Sequence, residues 1–329
     1  MAKKDFKNKM VVITGGSSGI GLATALEFAK YGAKIALLDM NRQALESCRT
    51  LFTESGYDCM GLFCDVTCED SCQNAINHVL THHGQIDILF NNAGITQRGA
   101  FENTRTEVFK KVMDVNFYGS LYCTKAALKS LIKQKGQIIV NESLAGVAPL
   151  VGRTGYSASK HALHGLFTSL RCELRHKGVH VMIVCPGFIK TNLQQRALDS
   201  NGEIATHEQT RIGKQSTPKE AARQIVKHAA RKNDMVVLTG IGKMGYFISR
   251  LAPKRTKGRR TLPYYRAIYR EVFGLTHEAV SKRPLSKSAL ICPISASGSN
   301  FGTLVTRSEA SALTFSAILE ILHVFLPAP

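Results

Sequence analysis

Thr14-Gly15-Gly16-Ser17-Ser18-Gly19-Ile20-Gly21 is the stretch on which the fold turns. It follows the apolar run Met10 to Ile13, which reads as a short buried strand. It precedes Leu22 to Tyr31, where Leu22, Ala25, Leu26 and Ala29 recur at helical spacing. The glycines therefore fall on a strand-to-helix turn. There the missing side chains let backbone N–H groups and a helix N-terminus approach a pyrophosphate. A plain flexible Gly/Ser loop is the alternative, and the flanking strand and helix disfavour it.

Outward from this turn, Ile35 to Leu38 form a second apolar strand ending in Asp39, 18 residues after Gly21. An acid there suits a ribose with a free 2′-hydroxyl, as in NAD, and repels the 2′-phosphate of NADP. Arg42, three residues on, could turn toward such a phosphate, so NADP stays open. Strands are expected near 10–14, 34–39, 58–64, 86–91, 136–141, 179–185 and 235–239, alternating with helical stretches. That alternation predicts an α/β fold, a doubly wound parallel sheet of about seven strands with helices on both faces. Ligands of such sheets bind at the carboxyl ends of the strands.

A second constellation lies at Tyr156-Ser157-Ala158-Ser159-Lys160. A spacing of four places Tyr156 and Lys160 on one helix face. An ammonium beside a phenol favours the phenolate, so the tyrosine is expected to fall from about 10 toward working pH. A phenol tuned in this way exchanges a proton with an alcohol or ketone oxygen. Taken alone the pair is common on helices. Its weight comes from the motifs around it.

Together these motifs resemble the short-chain dehydrogenase/reductases, in the branch with a single Rossmann domain, over roughly residues 8 to 240. The family's Thr-Gly-x-x-x-Gly-x-Gly is matched by Thr14 to Gly21, and its Asp-Val by Asp65-Val66. Asn91-Asn92-Ala93-Gly94 matches the Asn-Asn-Ala-Gly motif, and Asn116 the helix asparagine. Ser143 stands 13 residues before Tyr156, the family spacing for the catalytic serine. Pro186-Gly187 follows a strand, with Ile189 and Thr191 where nicotinamide contacts fall. The resemblance implies cofactor contacts at Thr14, Gly15, Ser17, Ser18, Gly19, Ile20, Gly21, Asp39, Asp65, Val66, Asn92, Ala93, Gly94, Tyr156, Lys160, Pro186, Gly187, Ile189 and Thr191. It implies a catalytic set of Asn116, Ser143, Tyr156 and Lys160.

On that resemblance, Tyr156 exchanges the substrate proton while a hydride passes between substrate carbon and nicotinamide. Lys160 tunes the tyrosine and binds the nicotinamide ribose, Ser143 holds the substrate oxygen, and Asn116 binds a water that links Lys160 to solvent. The implied protein is an NAD(H)-dependent oxidoreductase acting on a hydrophobic hydroxyl or carbonyl compound, such as a steroid, retinoid or other lipid-like molecule. The alternative is a non-catalytic dinucleotide-binding or scaffold protein that kept the fold. By analogy with the family, a homodimer or homotetramer forms through the helices bearing Asn116 and Tyr156.

One residue departs from the family pattern. Glu142 stands just before Ser143, where the family carries a small or hydroxylated residue. Buried, its carboxylate needs a partner or a raised pKa. Strand alternation lets Ser143 face the cofactor while Glu142 points away.

The 329 residues are enough for one large α/β domain and an appendage. The domains expected are a Rossmann domain over 1–240, a basic aromatic helical appendage over 241–285 and a tail over 286–329. No internal repeat is found. Nine cysteines, an odd number without a secretory signal, point to reduced thiols, most of them in apolar runs such as those of Cys123, Cys172 and Cys185. Cys64, Cys68 and Cys72, and the His82-His83 and His161/His164 pairs, lack the further ligands a metal site needs, so no metal is expected. His161 and His164 are taken as surface or substrate-side residues.

Net charge is +19, and it is uneven. Residues 214–290 hold 18 Lys/Arg against four Asp/Glu, and 241–270 hold nine basic residues and no acidic one. Aromatic and basic residues interleave there around Pro253. A solvated cover for the substrate cleft and a membrane-surface patch both fit, whereas nucleic acid does not. The N-terminus, Met1 to Lys9, carries no apolar signal segment, so a cytoplasmic protein is expected, with peripheral membrane contact through 241–270 as the alternative. Residues 312–326 are apolar but include Glu320 and His323, and fifteen residues are short for a span.

Overall fold

The computed structural model describes residues 5–148, 150–206, 215–240, 242, 243 and 246. The expected appendage at 241–285 and tail at 286–329 lie outside the described residues, except for Gly242, Lys243 and Tyr246.

Seven strands form: β1 Met10–Thr14, β2 Lys34–Asp39, β3 Cys59–Phe63, β4 Ile88–Asn91, β5 Gln137–Asn141, β6 His180–Cys185 and β7 Met235–Val237. They pair in the order β3-β2-β1-β4-β5-β6-β7, every pair parallel. Each expected strand is present, with ends shifted by two residues at most. The sheet order reverses between β1 and β4, opening a crevice at their carboxyl ends.

Alternation along each central strand sends side chains to two separate cores. Val11, Ile13, Ile35, Leu37, Phe90 and Ile139 point to one face. There they meet α1 (Gly19–Ala29), α2 (Arg42–Glu54) and α7 (Pro218–Ala230) through Phe28, Phe52 and Ile225. Val12, Ala36, Leu38, Ile138 and Val140 point to the other. That face is covered by α3 (Glu69–His83), α5 (Gly119–Lys133) and α6 (Thr154–Leu174) through Ile76, Leu131 and Phe167. Both strand faces being buried explains why the sequence reads as unbroken apolar runs rather than alternation.

Helix ends carry their own signals. Asn41 caps α2 by accepting from the Ala44 N–H, and Thr217 with Glu220 forms a capping box ahead of Pro218 at the start of α7. α4 (Thr106–Met113) runs through a π-turn at Asp114–Tyr118 into α5. The wider turn at Asn116 shifts that residue inward, a deviation that sequence periodicity does not signal.

Cys48, Cys64, Cys72, Cys123 and Cys185 are buried free thiols, whereas Cys172, expected inside with Cys123 and Cys185, is exposed on the outer side of α6. The sulfurs of Cys64, Cys72 and Cys123 lie within 4.8 Å of one another, because α5 brings Cys123 to the start of α3. The Cys72 thiol donates to the Val66 carbonyl oxygen at 3.7 Å. Among the described residues no helix is long and apolar enough to cross a membrane.

Phe90 is fully buried on β4 with Ile13 beside it in register. Phe90→Ala is expected to lower the unfolding free energy by about 3–5 kcal/mol, read as a lower urea midpoint at unchanged slope.

Candidate active site

Because all seven strands run the same way, Thr14, Asp39, Asn91, Asn141 and Cys185 come to one edge of the sheet. The glycine turn after Thr14 is held there by Asn92. The Asn92 amide donates from Nδ2 to the carbonyl oxygens of Thr14 (3.1 Å) and Gly15 (3.0 Å). The Thr14 hydroxyl oxygen accepts from the N–H groups of Asn92 and Ala93, each at 3.0 Å. Gly15 and Gly19 take φ of +59° and +55°, a region that costs side-chain-bearing residues energy. A Cβ at Gly21 would run into the Gly15 carbonyl oxygen and stand 2.6 Å from Asn92 Nδ2. The turn is thus a bare backbone cradle at the start of α1, the shape and polarity that a pyrophosphate requires.

Other expected cofactor contacts lie around this cradle. Asp39 accepts from the Ser17 hydroxyl at 2.6 Å and the Ser17 N–H at 3.1 Å, so the acid is fixed beside the glycine turn. Ser18 and Ile20 flank Gly19 at the entrance to α1. Arg42 lies with its guanidinium 4.1 Å from the centre of the Phe63 ring, a cation–π contact at the edge of the sheet. Asp65 is turned into a local loop and accepts from the Thr67 hydroxyl and N–H, while Val66 packs toward α5 at Gly119. After β6, Pro186 accepts from the Leu144 N–H and Gly187 lies against Thr239. Ile189 is buried, and Thr191 folds back to Gly19, closing the cradle from the far side.

Across β4, β5 and α6 a polar chain continues from the cradle. Asn141 donates from Nδ2 to Asn92 Oδ1 at 2.9 Å. The Lys160 ammonium donates to the Asn141 carbonyl oxygen at 2.7 Å. Gly94 lies where both Lys160 Nζ and Asn116 Oδ1 approach. Asn116 is locked: its Oδ1 accepts from the Ile95 N–H at 2.8 Å, and its Nδ2 donates to the Ile95 carbonyl and to the Ser159 hydroxyl. The side chain is therefore a brace between the β4 loop and α6. The Asn116 backbone carbonyl oxygen accepts from the Ser120 hydroxyl.

Tyr156 is on the first turn of α6 and is 8% exposed. Ser143 stands two residues past β5, near the phenol, and its hydroxyl accepts from the Ala145 N–H at 3.1 Å. Burial pushes the phenol up, against the lowering effects of Ser143 and the Arg153 guanidinium. Lys160 Nζ is 5.6 Å from the tyrosine ring centre. Burial pushes that ammonium down to about 8, and the negative field of Glu142 opposes the fall. The expected fall of the tyrosine toward working pH is therefore corrected: burial is the largest effect on both groups and moves each toward its uncharged form.

Glu142 lies inside the protein, its side chain wholly buried. Its Oε2 accepts from His164 Nδ1 at 3.1 Å and from the Cys185 thiol at 3.8 Å. His164, expected on the surface or near substrate, is instead the carboxylate's partner one helical turn beyond Lys160. Sequence reasoning also missed Arg153, Gln97 and Asn141. Arg153 donates to the Thr96 hydroxyl and to Gln194 Oε1, and Gln97 Oε1 accepts from the Tyr156 N–H. Asn141 could have been found, since it is the last residue of a strand expected to end there, two residues before Ser143. Arg153 and Gln97 come from loops that carry no periodic signal.

The comparisons with known proteins agree with one another. A family model described as short chain dehydrogenase matches residues 9–202. Dehydrogenase/reductase SDR family member 7B of Rattus norvegicus is 34% identical over 264 residues, 77% of this chain and 80% of its own length. The 11-beta-hydroxysteroid dehydrogenase 1A of Arabidopsis thaliana is 36% identical over 257 residues, 75% and 72% of the two chains. Among solved structures, a dehydrogenase/reductase from Sinorhizobium meliloti 1021 superposes with a TM-score of 0.62 at 29% identity, covering 72% of this chain and 94% of that one. A short chain dehydrogenase/reductase from Burkholderia phymatum, in complex with NAD, shares the fold at TM-score 0.68 and 21% identity, over 76% and 95%.

The depressed Lys160 has a consequence for stability. Its folded value of about 8 lies below the unfolded 10.5, so between them the unfolded chain binds more protons and stability rises with pH. Relative to a Lys160→Met variant, wild-type unfolding free energy is expected to gain on the order of 3 kcal/mol over that interval, measured by urea titration at each pH.

Proposed function

Because the chain belongs to the short-chain dehydrogenase/reductase family, an oxidoreductase family that binds nicotinamide dinucleotides, we propose that it interconverts a hydroxyl and a carbonyl on a hydrophobic small molecule with NAD(H), using Tyr156 as general acid and base. Family membership makes the chain an enzyme and displaces the scaffold reading.

The observation that carries the mechanism is the meeting of Ser143, Tyr156 and Lys160 beside the glycine cradle, at the sheet edge where β4 and β5 end. The cradle residues fit a dinucleotide: the pyrophosphate would be held by the N–H groups of the turn through Gly15 to Gly21, and the adenosine ribose by Asp39. When bound, the nicotinamide supplies or accepts the hydride. In reduction the Tyr156 phenol gives its proton to the carbonyl oxygen; in oxidation it takes one from the alcohol. Ser143 donates to the same substrate oxygen as negative charge grows on it. Lys160, fixed by the Asn141 carbonyl, keeps two N–H donors for the nicotinamide ribose. Asn116 braces this set from behind.

A steroid or similarly lipid-like substrate is supported by the hydroxysteroid dehydrogenase among the relatives and by the buried Leu198 beside the site. NAD over NADP rests on the Asp39 carboxylate next to Ser17, with Arg42 turned onto Phe63. Assembly as a homodimer or homotetramer through α4, α5 and α6 is supported by the exposed Tyr118 stacked on Tyr122. A cytoplasmic or membrane-peripheral location is part of the same proposal, and its basic segment lies largely outside the described residues.

Two variants test this reading. Tyr156→Phe is expected to lose at least about a thousandfold in kcat, followed as nicotinamide absorbance against a panel of steroid and retinoid alcohols and ketones, while NADH affinity stays within about threefold. Asp39→Ala is expected to narrow the preference for NADH over NADPH, measured by titrating each cofactor calorimetrically. Equal wild-type affinity for the two would remove the role given to Asp39.

A further inference from the structure

Glu142 is a buried carboxylate that the proposed chemistry leaves unused. It stands between Asn141, which holds the Lys160 ammonium, and Ser143, which lies near the Tyr156 phenol and lowers it. Its Oε2 is held by His164 and the Cys185 thiol, while its Oε1, equally buried, has no hydrogen-bond partner among the described residues. A Cβ at Gly146 would run into Oε1 and also lie 2.8 Å from the Lys160 carbonyl oxygen. The carboxylate and the backbone of the catalytic lysine therefore border one small volume.

The titratable groups facing Glu142 are His164, Lys160 and Tyr156 on α6 and Cys185 on β6. The turn Leu144–Gly146 adds none. Arg153 faces Tyr156 with the opposite charge. The contacts on Oε2 come from one imidazole and one thiol, and no arginine or lysine side chain bonds the carboxylate among the described residues.

We propose that Glu142, held by His164, is a positioning charge that keeps the proton on Tyr156 and on Lys160. The site is thereby set to donate a proton to a carbonyl at neutral pH, and alcohol oxidation waits for a higher pH. The overall equilibrium is unchanged, since a catalyst cannot move it; what changes is the pH at which each direction finds its active protonation state. The directions agree: the Glu142 charge raises Tyr156, Lys160 and Cys185 alike. This inference rests on the general acid and base assigned to Tyr156.

The test compares wild type, Glu142→Gln and Glu142→Asp. Tyrosinate absorbance is followed against pH for each protein minus its Tyr156→Phe counterpart, beside the pH profile of alcohol oxidation. Glu142→Gln is expected to move the Tyr156 midpoint and the rising limb of oxidation down by about one pH unit, with Glu142→Asp near wild type. A merely structural role would lower the melting temperature or the rate without moving either midpoint, and that result overturns the proposal. If Glu142→Gln does not fold, the amide pair Glu142→Gln/His164→Gln keeps the hydrogen bond without the charge and gives the same reading. The spectroscopic arm separates two failures. A midpoint that moves without turnover in any protein removes the catalytic assignment and leaves the charge effect. Turnover lost in Tyr156→Phe with an unmoved midpoint removes the charge effect alone.

Discussion

A buried ammonium must be given acceptors, and the way Lys160 receives one organises the whole edge of the sheet. Its Nζ donates to the Asn141 carbonyl oxygen, Asn141 donates to Asn92, and Asn92 donates to the carbonyls of Thr14 and Gly15. The ends of β1, β4 and β5 and the first turns of α6 are thereby tied into one polar chain. Losing a link would strand a buried donor or acceptor, which costs more than the bond itself contributes. Such a chain fixes the glycine cradle, Lys160 and the first turns of α6 at set distances from each other.

The parallel sheet makes this possible. With every strand running the same way, each contributes its last residues to one edge, and the reversal of strand order between β1 and β4 opens that edge to a ligand. The two apolar cores hold the strands rigid below it. Many of the buried polar groups gather at this rim, with others such as Asp87 and Gln137 at the opposite ends of the strands.

At the rim the charges are balanced rather than simply assembled. Burial moves Tyr156 up and Lys160 down, so desolvation alone would leave both neutral. Arg153 and Glu142 then pull Tyr156 in opposite directions. The ordinary picture, in which an ammonium draws down a nearby phenol, omits this desolvation. Lys160 Nζ stands 5.6 Å from the ring centre and spends one donor on the Asn141 carbonyl oxygen.

Much of this was written in the chain. Apolar runs specified the strands, because central strands buried on both faces are apolar throughout, and glycine at 15, 19 and 21 marked the turn, because Gly15 and Gly19 take positive φ and a Cβ at Gly21 would meet the Gly15 carbonyl oxygen. The i, i+4 spacing of Tyr156 and Lys160 placed them on one helix face. Only the tertiary structure decided the rest. Gln97 reaches the site from a loop far from Tyr156 in sequence, while Arg153 and His164 sit within a turn of Tyr156 and Lys160, yet what each one bonds is fixed only by the packed elements. Cys123 joins Cys64 and Cys72 only because α5 packs on α3. Whether Glu142 is a stray surface acid or a buried charge depends on what covers it, here α6 and β6. Sequence pattern reports periodicity along one element. Burial and electrostatic field belong to the assembled elements and exist only once they have packed.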